Sequence, residues 1–153
     1  MKEFDYDYNY KELDFTEEET RKMYRIGRGE QGVLLVRPYT NDICAHWRFK
    51  TPEIAQQSAL KIYTMFLNYQ VDEDFIGMDM CRKFLEMGFT RSRRYANHRN
   101  GKKYDKEGNV IPQEKDHATC HFAESAKIFK RARDIVAKNE TYVMMRKQWR
   151  SNE

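Results

Sequence analysis

The sequence predicts a single α+β domain, a small antiparallel sheet with four to five helices, and three observations predict it. A chain of 153 residues is the size of one ordinary domain and can bury roughly two-thirds of the surface its unfolded form exposes. An aromatic share of 14% beside 34% charged residues suits one core under a heavily charged exterior rather than a disordered chain. The pattern along the chain then changes, from glycine-punctuated β-formers before residue 50 to helical spacing after it.

Residues 1–20 read as an acidic, Tyr-rich arm ahead of the domain proper, 21–153. The arm carries two Lys against eight Asp or Glu, a net of −6, which leaves the other 133 residues with 26 basic and 16 acidic groups, a net of +10. Such an arm is either a solvated terminus or a segment that lies on the basic body and competes with an anionic partner. In YRIGRGEQGVLLVRPYTNDICAHWRF, Gly27, Gly29 and Gly32 punctuate Tyr24–Ile26 and Val33–Val36, Pro38 to Asp42 offers a turn, and Ile43–Phe49 reads as a further strand.

The helical half starts at Thr51, an N-cap followed by Pro52 at the first helical position and Glu53 against the helix dipole. Ile54, Ala55, Ile62, Tyr63, Phe66 and Tyr69 recur at helical spacing and mark its buried face. A second helix is predicted from about Asp74 to Met87, with Gly88 as its stop, and Thr90 then caps a short third helix, RSRRYANH. After Asn100-Gly101 the segment KKYDKEGNVIPQEKD reads as a hairpin or mobile loop. Phe122, Ala126, Phe129, Ala132 and Val136 mark an amphipathic helix over about 118–138, and Asn139 caps a last one ending near Trp149.

No apolar run approaches the roughly 20 residues that span a bilayer, and MKEFDYDYNY lacks the regions of a secretory signal, so no membrane partner and a cytoplasmic location are expected. Cys44, Cys81 and Cys120 are an odd, widely spaced set that fits reduced thiols. Nothing in the sequence fixes an oligomeric state.

The densest functional signal is Phe89 to Tyr104, FTRSRRYANHRNGKKY, with six Arg or Lys, one His and no acid in sixteen residues. In a helix Arg91, Arg94 and His98 share a face with Arg93 to one side, and Arg99, Lys102 and Lys103 extend the strip. Guanidinium forks match phosphate oxygens, and each phosphate neutralised releases counterions, so a salt-sensitive nucleic-acid interface is expected. Tyr95 and Tyr104 stand among the charges, where a ring either stacks on a base or packs on the core. Lys127, Lys130, Arg131 and Arg133 form a second basic cluster that would line a groove with the first if the fold brings them together. Without a zinc-finger, RRM or KH signature, recognition is expected to be of phosphate backbone, DNA or RNA, and not of base sequence. The bland alternative is a solvated charged surface paired with the chain's own carboxylates.

Three blocks, YRIGRGEQGVLLVRPY, HWRFKTPEIA and DMCRKFLEMGFTRSRRYANH, together resemble an uncharacterised family, a domain of unknown function met in bacteria, fungi and large tailed bacteriophages. The match runs over most of Tyr24 to Lys130. The resemblance implies no activity and supplies no catalytic residues. It implies an intracellular protein, and the acidic arm and short 100–117 region suit a compact phage-encoded member, hence a second reading as an interaction module that modulates host machinery.

Enzyme chemistry is the third reading. His46 and Arg48, with Glu30 and with Arg25 and Arg28 nearby, would form an anion pocket for a phosphorylated small molecule if the fold joins them. RIGRGEQG is neither GxGxxG nor a P-loop, and reads as a tight hairpin. HATCH places His117, Cys120 and His121 within five residues but lacks a fourth ligand, so no metal, no cofactor and no catalytic residue is predicted.

Overall fold

The computed structural model describes residues 1–153 and is helical. Its elements are α1 (Glu18–Arg21), α2 (Tyr39–Cys44), α3 (Pro52–Val71), α4 (Phe75–Asn97), α5 (His121–Ala137) and α6 (Glu140–Ser151). Helix α4 is central: α3 and α5 pack against it and against each other, while α2 and α6 meet it as well. Phe75 to Cys81 are buried without a break, as a helix covered on all sides requires. None of the helices is long and apolar enough to cross a membrane.

The helix starts follow local chemistry. Thr51 Oγ1 accepts from Ile54 N at 3.2 Å with Pro52 at the first position, Asp74 Oδ1 from Gly77 N at 3.2 Å, and Asn139 Oδ1 from Tyr142 N at 3.0 Å. Gly88 is not a stop. Helix α4 runs through it to Asn97, so the expected second and third helices are one. A Cβ at Gly88 would lie 2.4 Å from Phe129 Cδ1, so the glycine is what lets α4 and α5 approach.

The antiparallel sheet expected over 24–49 does not form, and the fold is all-helical instead of α+β. The β-formers there are spent in successive tight turns. Gln31 N donates to Arg28 O at 3.0 Å, Val33 N to Glu30 O at 3.1 Å and Leu35 N to Gly32 O at 3.0 Å, so the backbone is satisfied locally and offers no strand edge. Thr40 Oγ1, bonded to Val33 O and Val36 N, closes the last turn into α2, which takes up Ile43 and Cys44. His46–Lys50 is no strand either: Ser58 of α3 receives Arg48 N at 3.0 Å and donates to His46 O at 2.7 Å. The only β pairing is one antiparallel bridge, Tyr104 to Val110, inside the segment expected as a hairpin or loop.

The acidic arm is part of the core. Phe4, Tyr10 and Phe15 are buried, Phe4 stands edge-on to Tyr10 and Tyr24, and Phe15 N donates to Arg37 O at 2.9 Å. Asp5, Asp7 and Glu12 face solvent. The arm's aromatic residues, not its charges, tie it down.

Candidate functional site

The basic stretch does not stand outward as one strip. Arg91 and Arg94 are exposed and unpaired, as are Lys102 and Lys103, the latter 5.7 Å from the Tyr104 ring. Arg93 instead donates to Asn97 Oδ1 at 2.7 Å and His117 O at 3.1 Å, and Arg99 pairs with Asp116 at 2.9 Å. His98 is buried past the helix end, away from the face expected for it with Arg91 and Arg94. Tyr95 is half-buried and packs on Phe49 and Phe122, the second of the two alternatives for its ring. In the second cluster, Lys127 pairs with Glu124, Lys130 is exposed, and Arg131 edges an apolar groove between α3 and α5.

The pocket expected around His46 is not assembled. His46 and Arg48 flank a hollow with Lys61, Arg25 borders a different one with Trp149, Glu30 accepts from Thr90 Oγ1 at 2.7 Å, and Arg28 is exposed. No group of three or more His, Cys, Asp or Glu side chains is placed to hold a metal ion, HATCH included.

What the fold does assemble starts from Asp79, fully buried in α4. Its carboxylate accepts from Tyr24 Oη, from Tyr142 Oη at 2.6 Å and from Arg82 Nε at 2.8 Å, with Lys83 Nζ at 3.9 Å. Burial pushes the Asp79 carboxyl up, but Arg82 and Lys83 outweigh it and hold it down at about 2. The cluster joins the turn region, α4 and α6. It also aims Arg82, whose Nη1 donates to Gly29 O at 2.9 Å while Nη2 is buried without a partner.

Lys83 is the cluster's second cation. Its Nζ donates to Arg25 O at 2.8 Å and lies 4.9 and 4.5 Å from the Phe4 and Tyr24 ring centres. Burial lowers its pKa from 10.5 to about 7, against the pull of Asp79. Between those values the unfolded chain holds a proton that the folded one does not, so stability rises with pH there, by at most about 1.4 kcal/mol per pH unit. From about pH 8.5 the buried Cys81 thiol, pushed up by burial, works against this rise, and above pH ~10 the buried Tyr24 and Tyr142 hydroxyls, raised by burial and by Asp79, reverse the trend. Urea midpoints of the wild type are therefore expected to climb from pH 7 to 8.5, and those of Lys83→Met to stay flat over that range; a flat wild type would refute a depressed Lys83.

Beside this cluster, α4, α5, α6 and the Gly29 turn enclose a cleft of about 590 Å³. Five cations line it, Arg82 from α4, Arg133 from α5, and Arg146, Lys147 and Arg150 from α6, against one acid, Glu86. Ala137, Tyr142 and Val143 supply its apolar wall. Arg133 is neutralised by Glu86 at 2.6 Å and Asp134 at 2.8 Å and lies 5.3 Å from the Phe89 ring centre. Arg150 Nη2 donates to Gly27 O at 3.2 Å, while its Nη1 is 3.7 Å from Glu153, too long for a hydrogen bond. Arg146 and Lys147 form no ion pair. Three guanidinium nitrogens, Arg82 Nη2, Arg146 Nε and Arg150 Nη1, are thus buried with no partner. Each such group costs about 1–3 kcal/mol. The cleft adjoins a shallower hollow that shares Val143 and Lys147 with it and reaches Lys138.

The sequence reading missed Arg82, Arg146, Lys147 and Arg150. The available signal was slight: Arg146 and Arg150 are four apart on α6, a spacing that puts them on one face. A family described as a domain of unknown function, DUF4385, matches residues 5–152. The chain belongs to this family. The matched range takes in the whole cleft, from Gly29 to Arg150, and the Asp79 cluster behind it. No curated protein and no solved structure matches the chain.

Proposed function

We propose that the protein binds nucleic acid through phosphate contacts, without reading base sequence, and that the cleft between α4, α5 and α6 holds the strand. The observation that carries this is the trio of buried, unpartnered guanidinium nitrogens in a cleft where cations outnumber acids five to one. Low-dielectric walls strengthen such a field toward anions. The hollow running on past Lys147 sets that residue and Lys138 against one acid, Glu140, and would take a neighbouring phosphate on the lysine side. A flexible single strand follows such a course better than a rigid duplex. Arg91, Arg94, Lys102 and Lys103 serve as outlying, weaker contacts, each exposed and free of carboxylates. A cytoplasmic site of action goes with this reading.

Binding of a labelled single-stranded oligonucleotide is expected at about 50 mM salt and to fall steeply by about 200 mM, alike for unrelated sequences. Absence of binding at low salt, or binding indifferent to salt, would refute the proposal.

A second reading, as a protein-interaction module, draws on the apolar groove between α3 and α5, where Leu60 is 61% and Ile135 52% exposed. A partner that survives nuclease treatment in a pull-down and is lost with Leu60→Glu would favour it. Loss of every partner on nuclease treatment would remove it.

A further inference from the structure

We infer that the inner end of the cleft takes a phosphate monoester, the terminal phosphate of a strand or of a small phosphorylated molecule, in preference to an internal phosphodiester. The inference rests on the reading of the cleft as a phosphate site and narrows its ligand.

Donor number points this way. Arg82 Nη2, Arg146 Nε and Arg150 Nη1 are three partnerless guanidinium nitrogens, with five N–H bonds between them, on side chains lining one cleft. A monoester presents three terminal oxygens as strong acceptors, whereas a diester in a strand has two, the others being bound to carbon. Charge points the same way. Asp79 compensates Arg82, and Glu86 and Asp134 set two carboxylates against Arg133, so with Arg146, Lys147 and the weakly paired Arg150 the surplus is about two positive charges. That surplus matches a monoester's charge of about −1.5 to −2 better than the single charge of a diester.

Shape is the third support. At one end the cleft is walled by the Gly27–Gly29 turn, whose carbonyls are occupied by Arg150 and Arg82 at 3.2 and 2.9 Å. A diester at that end needs room for chain on both sides, and a terminal phosphate needs it on one. The volume of about 590 Å³ lies within the range of small-ligand sites and exceeds what a phosphate alone fills. Val143 and Ala137 supply the apolar surface against which the attached sugar or ring would rest.

The test compares esters on the full chain. Methyl phosphate is expected to raise the melting temperature where dimethyl phosphate at equal concentration does not. A single-stranded oligonucleotide with a 5′-phosphate or a 3′-phosphate should bind at least about tenfold tighter than its hydroxyl-ended twin, the effect of one further charge-assisted hydrogen bond. Arg146→Gln, which breaks no bond within the fold, should erase both preferences, and Arg131→Gln should preserve them. Equal response to the two esters together with equal binding of the phosphorylated and hydroxyl-ended strands overturns the inference while leaving the nucleic-acid reading intact. Response to methyl phosphate with no oligonucleotide binding keeps the inference, assigns the ligand to a small molecule, and overturns the nucleic-acid reading. No response to any of them overturns both.

Discussion

Asp79→Ala is expected to cost about 3–5 kcal/mol and to leave the domain largely unfolded near 37 °C, because removing one partner of a buried ion pair strands the other. Four groups converge on this carboxylate: the Tyr24 and Tyr142 hydroxyls, Arg82 and Lys83. Without it Arg82 keeps only Gly29 O. Lys83 can shed its proton, but the guanidinium cannot. Against a total stability of about 5–15 kcal/mol that loss is decisive. Asp79→Asn keeps the volume and lacks the charge, so it should lose most of the same stability. A urea titration at pH 7 showing either variant within about 1 kcal/mol of wild type would mean that the Asp79 cluster does not hold the turn region, α4 and α6 together.

The parts of the fold legible in the sequence are those whose cause lies within a few residues. Thr51, Asp74 and Asn139 each bond a backbone N–H three positions on, so side-chain chemistry and helix start appear in one short window. Gly88 fails that condition. A glycine after an apolar helical run reads as a stop, and the reason it is not one is the Phe129 ring on another helix. Val33–Val36 fails it too. Its β-branched residues favour a strand, but with Gly32 before it and Thr40 after it the backbone closes into turns, and Val33 and Val36 are buried singly.

For the site, the acid-free run from Phe89 to Tyr104 was visible as composition, and composition does not fix direction. At about 100° per residue, Arg94 and Arg91 stand roughly 80° and 140° round α4 from Glu86, off the cleft. Arg99 meets an acid that the run itself lacks, Asp116. Conversely Arg82 and Arg150 are brought to one cleft by the Asp79–Tyr142 bond between α4 and α6, and no spacing in the sequence announces that pairing.

The central claim is that phosphate is taken by the cleft and not by the exposed arginines of α4. Arg146→Gln with Lys147→Gln removes the two cations of the cleft that have no carboxylate partner, and neither change breaks an ion pair or hydrogen bond of the fold. Arg91→Gln with Arg94→Gln removes the same formal charge from the exposed side of α4. The deciding measurement is the affinity of both double variants for one single-stranded oligonucleotide across a salt series. The cleft variant is expected to bind about 10- to 100-fold more weakly at low salt, with a log–log salt slope shallower by about one to two, while the α4 variant stays within about threefold of wild type. Unchanged binding by the cleft variant, with the loss falling on Arg91 and Arg94 instead, would contradict the account.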